Sequence, residues 1–137
     1  MFVTNADIIQ YRLTQMPKWQ EKRNEIAAIY TKELKYDVIC QNVPEELSHN
    51  FHKFVIRFED KDQRKRVKDG LKMIGLNANI HYEKPLSENS LYIKEHLRKD
   101  NCTNSQIASD TVMSLPVHAW LTDEEIDNIC NTILMMT

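Results

Sequence analysis

A chain of 137 residues suits one domain, and a domain of this size buries roughly two-thirds of the surface that its unfolded form exposes, so it needs no disulfide or metal to hold a core. The formal net charge of −2 argues against a general attraction to nucleic acid or to an anionic membrane. Three widely spaced cysteines, the absence of signal-peptide features and the absence of an apolar run long enough to span a membrane favour a cytoplasmic protein.

The first third of the chain predicts helix. Asn5 is a suitable N-cap, and Ile9, Leu13 and Met16 follow at helical spacing. Pro17 predicts either a kink or the start of a second helix, because proline lacks a backbone donor and restricts the residue before it. Beyond Pro17 a second stripe at helical spacing continues, formed by Trp19, Arg23, Ile26, Ala27, Tyr30 and Leu34.

Three segments of the middle third predict strands. Residues 36–40 suit a short strand, and residues 51–58 suit a longer one with Phe54, Ile56 and Phe58 on one face. Residues 76–82 alternate in the same way before Pro85. One mostly apolar face per strand is typical of an antiparallel sheet with one side partly exposed to water.

Helix signals surround these strands. Asp60 or Asp62 predicts an N-cap for a helix that carries Val67 and Leu71, and Gly75 predicts its end as a C′ residue. Residues 88–97 predict a further helix.

Two segments match the capping box, residues 103–106 and residues 122–125. The first predicts a helix that ends near Pro116, and the second predicts a terminal helix with one apolar face, formed by Ile126, Ile129, Cys130 and Ile133. Helices flanking a small, mainly antiparallel sheet make this an α+β fold rather than a doubly wound one.

Several residue clusters could be functional, but an ordinary structural interpretation is favoured for each of them. His49 and His52 lack the further ligands of a metal site, so partly exposed histidines are favoured. The basic residues of the segment 61–68 are accompanied by Asp60, Asp62 and Asp69, and no aromatic residue lies among them, which favours a solvated helix face over a nucleic-acid surface. The acidic run 123–125 is expected at a helix start, and no nucleophile motif is present, so no catalytic residue is assigned.

His81 and Tyr82 are the candidate substrate-binding residues. They end a predicted strand that runs into a turn fixed by Pro85, an arrangement that displays polar side chains at a defined place and often forms one side of a pocket. The ordinary alternative places Tyr82 at the edge of the core and His81 in solvent.

Five motifs in order resemble the C-terminal part of the DegT/DnrJ/EryC1/StrS aminotransferases. The family pattern contains KRxxIAxxY, an aromatic strand, a helix ending in L…GI, HYxxPLH…Y and LPxHxxLTxEEIDxI. The matching segments here are residues 22–30, 52–58, 71–76, 81–87 with Tyr92, and 115–129. Two positions depart from the pattern near the sugar site: Ser87 stands where His is frequent, and Asn89 stands near a frequent Gln.

The resemblance implies a single domain, residues 1–137, like the small domain of a fold-type-I aminotransferase, with residues 1–16 as an interdomain helix. It implies a homo-oligomeric, PLP-dependent enzyme that transfers an amino group from a donor such as glutamate to a keto form of a nucleotide-linked sugar, for surface polysaccharides or amino sugars. His81 and Tyr82 would line the site from this side.

The resemblance also places the Schiff-base lysine and the other cofactor-binding residues in a large PLP-binding domain that precedes this region. We therefore expect this chain to hold no cofactor and to be inactive alone. An apolar stripe left uncovered on the first helix, formed by Ile8, Ile9, Leu13 and Met16, predicts self-association. The alternative is a stand-alone binding or assembly module without catalysis.

Overall fold

The structure, a computed structural model, describes residues 3–90, 93 and 102–137, with side chains from residue 5 onward. Among these residues, four helices, one 3-10 turn and three strands follow in this order: α1 (Val3–Leu34), β1 (Ile39–Cys40), β2 (Phe54–Arg57), α2 (Lys61–Met73), the 3-10 turn (Leu86–Glu88), α3 (Thr103–Thr111), β3 (Val112–Leu115) and α4 (Asp123–Met136). The predicted α+β class is confirmed.

The sheet is antiparallel and has the order β1-β2-β3. Phe54 pairs with Leu115 and Arg57 pairs with Val112, so the start of β2 lies beside the end of β3. The prediction of a strand over residues 76–82 is wrong, since only Asn79 forms a bridge, to Ser114. Its backbone N–H donates to the Ser114 carbonyl at 3.1 Å, and the Ser114 N–H donates back at 2.8 Å.

Helix α1 is one continuous helix of 32 residues, so the prediction of a second helix beginning at Pro17 is wrong. Proline removes one backbone hydrogen bond from a helix interior. Here Leu13, whose carbonyl loses that partner, lies on an exposed part of the helix, where water can satisfy it.

The core lies between the second half of α1, the sheet, α2 and α4. From α1 it takes Ile26, Ala27, Tyr30 and Leu34, each at most 1% exposed. These residues meet three other apolar faces, formed by Phe54, Ile56 and Phe58, by Val67 and Leu71, and by Ile126, Ile129, Cys130 and Ile133. Full burial of one such side chain stabilises the fold by about 1.5–3 kcal/mol, so these predicted faces hold the domain together.

The predicted limits of α2 are confirmed at both ends. The side chain of Asp60 accepts a hydrogen bond from the Gln63 N–H at 2.7 Å, which makes Asp60 the N-cap. Gly75 follows the helix with φ +80°, the left-handed conformation expected at C′. The predicted solvated face holds in part only, because Arg64 is buried and its Nη1 donates to the Ser109 carbonyl.

The two capping-box predictions have different outcomes. The Thr122 side chain accepts from the Glu125 N–H, and the Glu125 carboxylate accepts from the Thr122 N–H, so the second box is confirmed. The first is wrong: α3 has Cys102 at its N-cap, with no side-chain cap, and the chain leaves the helix at Thr111 to enter β3 instead of staying helical to Pro116. Most of the helix predicted over residues 88–97 lies outside the described residues.

Candidate functional site

A cleft of about 440 Å³ opens at the edge of the sheet where β2 begins and β3 ends. Three chain segments and one helix residue form its wall, and they carry His52 and Lys53, residues 75–77 and 79 with His81, residues 114–118 with Leu121, and Glu125. We call it the histidine cleft, because three of the five histidines of the chain line it.

The sheet register builds the histidine cleft. Because Phe54 pairs with Leu115, the residues just before β2 and just after β3 leave the sheet at the same edge. The Asn79–Ser114 bridge holds the segment after α2 beside the outer edge of β3. On the other side, the buried Tyr30 hydroxyl donates to the Pro116 carbonyl at 2.9 Å and ties the cleft wall to α1.

Only one of the two predicted substrate-binding residues lines the histidine cleft. His81 lines the histidine cleft, with its ring Nδ1 3.1 Å from the Ser114 hydroxyl oxygen. Tyr82 is 77% exposed and is not among the lining residues. The two rings are nevertheless neighbours, with 6.3 Å between their centroids and 85° between their planes, so Tyr82 lies beside His81 and outside the cleft lining.

His52, His118 and Lys53 lie in the histidine cleft but were not predicted as site residues. His52 was considered only together with His49, as a possible pair of metal ligands. His49 does not line the cleft, and its Nδ1 accepts a hydrogen bond from the Phe51 N–H at 3.0 Å. Within the described ranges, no group of three or more His, Cys, Asp or Glu side chains is placed to hold a metal ion. No local signal marks these residues, because pairing between distant strands brings them together.

The electrostatic character of the histidine cleft comes from one lysine, three imidazoles and one carboxylate. Hydrogen bonds from the Thr122 N–H and hydroxyl hold the pKa of Glu125 below its usual range, with a smaller contribution from His118. This carboxylate therefore serves the helix cap first. The remaining groups are mostly hydrogen-bond donors or can become so, which suits a ligand rich in hydroxyl or anionic oxygens.

The histidine cleft does not fit PLP. The cofactor phosphate needs free backbone donors at a helix start, and the helix start that borders the cleft, that of α4, carries Asp123, Glu124 and Glu125 in its first turn. A Schiff-base lysine needs desolvation. Lys53, the lysine that lines the cleft, is only half-buried.

A larger groove of about 640 Å³ runs between β1 and α3 and includes Lys35, Arg57 and Glu59. It contains no histidine and none of the residues of the HYxxPLH and LPxHxxLT motifs. The histidine cleft is therefore the candidate site.

Comparison with known proteins supports the motif resemblance. The sequence model of the DegT/DnrJ/EryC1/StrS aminotransferase family matches residues 1–134. The erythromycin biosynthesis sensory transduction protein EryC1 of Saccharopolyspora erythraea is 28% identical over 131 residues, and a dTDP-3-amino-3,6-dideoxy-α-D-galactopyranose transaminase of Aneurinibacillus thermoaerophilus is 26% identical over 129 residues. Each match covers 93% of this chain but only 35% and 34% of the relative, so the chain spans about a third of their length.

The fold agrees with that of solved structures. Spr1654 of Streptococcus pneumoniae, solved in PMP and PLP forms, superposes with a TM-score of 0.83 at 23% identity, over 93% of this chain and 33% of Spr1654. None of the helices among the described residues has the length and apolar character needed to cross a membrane. Because the family match extends over nearly the whole sequence, the chain belongs to the DegT/DnrJ/EryC1/StrS aminotransferase family.

Proposed function

We propose that this chain is the C-terminal small domain of a PLP-dependent nucleotide-sugar aminotransferase, an enzyme that moves an amino group from a donor such as glutamate to a keto sugar. The supporting observation is the coverage: nearly all of this chain matches about a third of each relative. In the proposed enzyme the remaining two-thirds contain a large PLP-binding domain, and that domain is the partner this chain requires.

The first half of α1 supports an interdomain role for residues 1–16. Its apolar stripe, formed by Ile8, Ile9, Leu13 and Met16, is between 45% and 63% exposed. Isolated exposed apolar residues are ordinary, but a stripe of them on one helix marks a surface that packs against something else. In the proposed enzyme the large domain covers this stripe, and in the isolated chain a second copy does, which gives a homo-oligomer.

In the proposed enzyme the histidine cleft faces the nucleotide-linked sugar. His81, fixed by Ser114, and the neighbouring imidazoles position sugar hydroxyls and exclude water, and proton transfer is left to the large domain. PLP supplies the amino-transfer chemistry when it is bound by that domain. Tyr82 remains a proposed sugar contact only where the large domain or a second subunit completes the wall around it.

The test has two parts. The chain alone is incubated with PLP, reduced with borohydride and examined by mass spectrometry; we expect trace labelling spread over exposed lysines and no turnover of glutamate. Residues 1–134 are then joined to the large domain of the A. thermoaerophilus transaminase, and we expect amination of the keto form of its dTDP-linked sugar.

The natural transaminase is the positive control for the joined enzyme, and its large domain alone is the negative control. In the joined enzyme, His81→Ala should raise the KM for the sugar more than it lowers kcat. Stoichiometric labelling of one lysine of the chain alone, Lys53 above all, accompanied by turnover, would overturn the proposal. So would a well-folded joined enzyme that loads PLP and accepts glutamate but never aminates a nucleotide-linked sugar.

A further inference from the structure

A cluster of three aromatic side chains lies at the mouth of the histidine cleft. Trp19 projects from α1, and Trp120 lies in the turn between β3 and α4, with 5.5 Å between the ring centroids and 49° between the ring planes. The His118 ring lies 6.2 Å from that of Trp120 at 42°. Tilted contacts at these distances are favourable for aromatic rings. We call these three residues the aromatic platform.

The structure holds Trp120 in place but leaves it open. The turn that carries it is closed by a hydrogen bond from the Leu121 N–H to the His118 carbonyl at 3.2 Å, and the Leu121 side chain is buried. Trp120 itself is 71% exposed, so most of its ring surface contacts water despite its neighbours. A contact that served only to join α1 to this turn would bury the indole, and this one does not.

His118 belongs both to the aromatic platform and to the lining of the histidine cleft. A ligand that contacts His118 in the cleft is therefore one ring away from Trp120. The two surfaces differ in chemistry: the cleft offers hydrogen-bonding groups for hydroxyls and anions, and the platform offers flat π surfaces. A nucleotide-linked sugar has the same two parts, a polyhydroxyl ring and a flat heterocyclic base.

We infer that the aromatic platform stacks the heterocyclic base of the nucleotide whose sugar occupies the histidine cleft. The inference rests on the proposed function and extends it to a second subsite. The family motif carries no requirement at the position of Trp120, because that residue falls on a variable position of LPxHxxLT. Base stacking on an aromatic side chain is tolerant of base identity, so the platform adds affinity and leaves discrimination between sugars to the cleft.

The chain carries its own reporter for this subsite. It has two tryptophans in all, Trp19 and Trp120, so its whole tryptophan emission comes from the platform. We expect UDP and dTDP to quench this emission saturably, whereas ribose 5-phosphate and pyrophosphate, which have no base, should not. Trp120→Ala should weaken UDP binding about tenfold or more, measured by calorimetry, since removal of one stacking aromatic has an effect of this size.

Trp120→Phe is the matched control, because it keeps a flat ring and should stay within a few-fold of the unsubstituted chain. Circular dichroism and the urea midpoint of each variant establish that it folds. Equal quenching by the base-free phosphates, absence of saturable quenching at millimolar UDP, or unchanged UDP binding in a folded Trp120→Ala chain would overturn the inference. If Trp120→Ala unfolds, the Phe variant decides: tight UDP binding supports stacking, and base-independent binding overturns it.

The two proposals fail separately. Absence of base-dependent quenching in the chain alone, while the joined enzyme still aminates its sugar, would contradict the aromatic platform and leave the proposed function intact. Base-dependent quenching in the chain alone, while the joined enzyme never aminates any nucleotide-linked sugar, would contradict the proposed function and leave a nucleotide-binding module.

Discussion

The two halves of helix α1 have similar sequence patterns and opposite surroundings. Both carry an apolar stripe at helical spacing, and Pro17 lies between them. In the second half, Ile26, Tyr30 and Leu34 are completely buried against the sheet and α4. In the first half, Ile9 and Leu13 are about half exposed or more. The amphipathic pattern thus shows which face of a helix is apolar and leaves open what covers it.

This difference divides the helix by the origin of its stability. The second half is helical because tertiary packing holds it, as in most short protein helices. The first half extends beyond the described core and depends on helix propagation from the second half until a partner covers it. In the proposed enzyme the stripe of the first half therefore contributes to assembly, and that of the second half contributes to folding.

The largest expected effect is a direct test of this division. Ile26→Ala should destabilise the chain by about 2–5 kcal/mol, because it removes buried methyl groups and leaves a cavity. Ile9→Ala, the matched change in the first half, should alter the free energy of unfolding by less than about 0.5 kcal/mol. Urea denaturation at low protein concentration, followed by circular dichroism, measures both.

Self-association is the control for that pair, since a dimer that covers Ile9 would make its substitution costly. Sedimentation should show that Ile9→Ala weakens association, while Ile26→Ala acts on stability at every concentration. Equal losses of stability at a concentration where the chain is monomeric would contradict the division of α1.

The next prediction, which has a smaller expected effect on stability, tests whether the second half of α1 unfolds together with distant parts of the core. Gly75 lies beyond α2 with φ +80°, and no atom lies within 4 Å of where a Cβ would be placed. Gly75→Ala should therefore cost about 1–2 kcal/mol through the backbone conformation alone. The circular dichroism signal of the helices at 222 nm and a spectroscopic signal from the buried Tyr30 should both give the same lowered unfolding midpoint.

Gly75→Asn is the control, because asparagine tolerates the left-handed conformation and should lose less stability. Separate midpoints for the two probes would show that the second half of α1 does not fold as one unit with α2.

The smallest effect concerns the cap of α4, the helix against which the second half of α1 packs. Thr122→Ala should destabilise by about 1 kcal/mol, whereas Thr122→Ser keeps the side-chain acceptor and should cost little.

The folded-state pKa of Glu125 lies below its usual value. The contribution of this carboxylate to stability is therefore present above the ordinary carboxyl pKa and is lost as the pH falls through the lowered value.

The difference in urea midpoint between the unsubstituted chain and Glu125→Gln should accordingly shrink when the pH falls from 6 to 2. A difference that stays constant over this range would show that the carboxylate charge has no part in the cap.

Much of the fold follows from local patterns, and the errors occur where distant residues decide. The Asp60 and Thr122 caps, the Gly75 end and the buried face of residues 54–58 all depend on neighbours within a few positions. Strand β3 was missed because no glycine or proline separates it from α3, and its partner, β2, lies more than fifty residues earlier. The same pairing of β2 with β3 also brings together the residues of the histidine cleft.

The site was predicted in part for the same reason. His81 could be placed near a pocket from the proline-fixed turn after it. His52 and His118 could not, because each is an ordinary loop residue until β2 pairs with β3 and brings the two segments to one edge. Tyr82 was paired with His81 by adjacency in sequence, and its ring does lie beside that of His81, but it is 77% exposed and does not line the cleft.

The hydrogen bond between Tyr30 and Pro116 couples the orientation of α1 to the wall of the histidine cleft. The helix has 32 residues and, at a rise of 1.5 Å per residue, a length of about 48 Å. The first half projects beyond the core, and the second half is joined through the Tyr30 hydroxyl to the backbone that lines the histidine cleft. In the proposed enzyme, a large domain that docks on the first half of α1 and tilts the helix would therefore also displace Pro116, so docking of that domain and the shape of the cleft wall would be coupled.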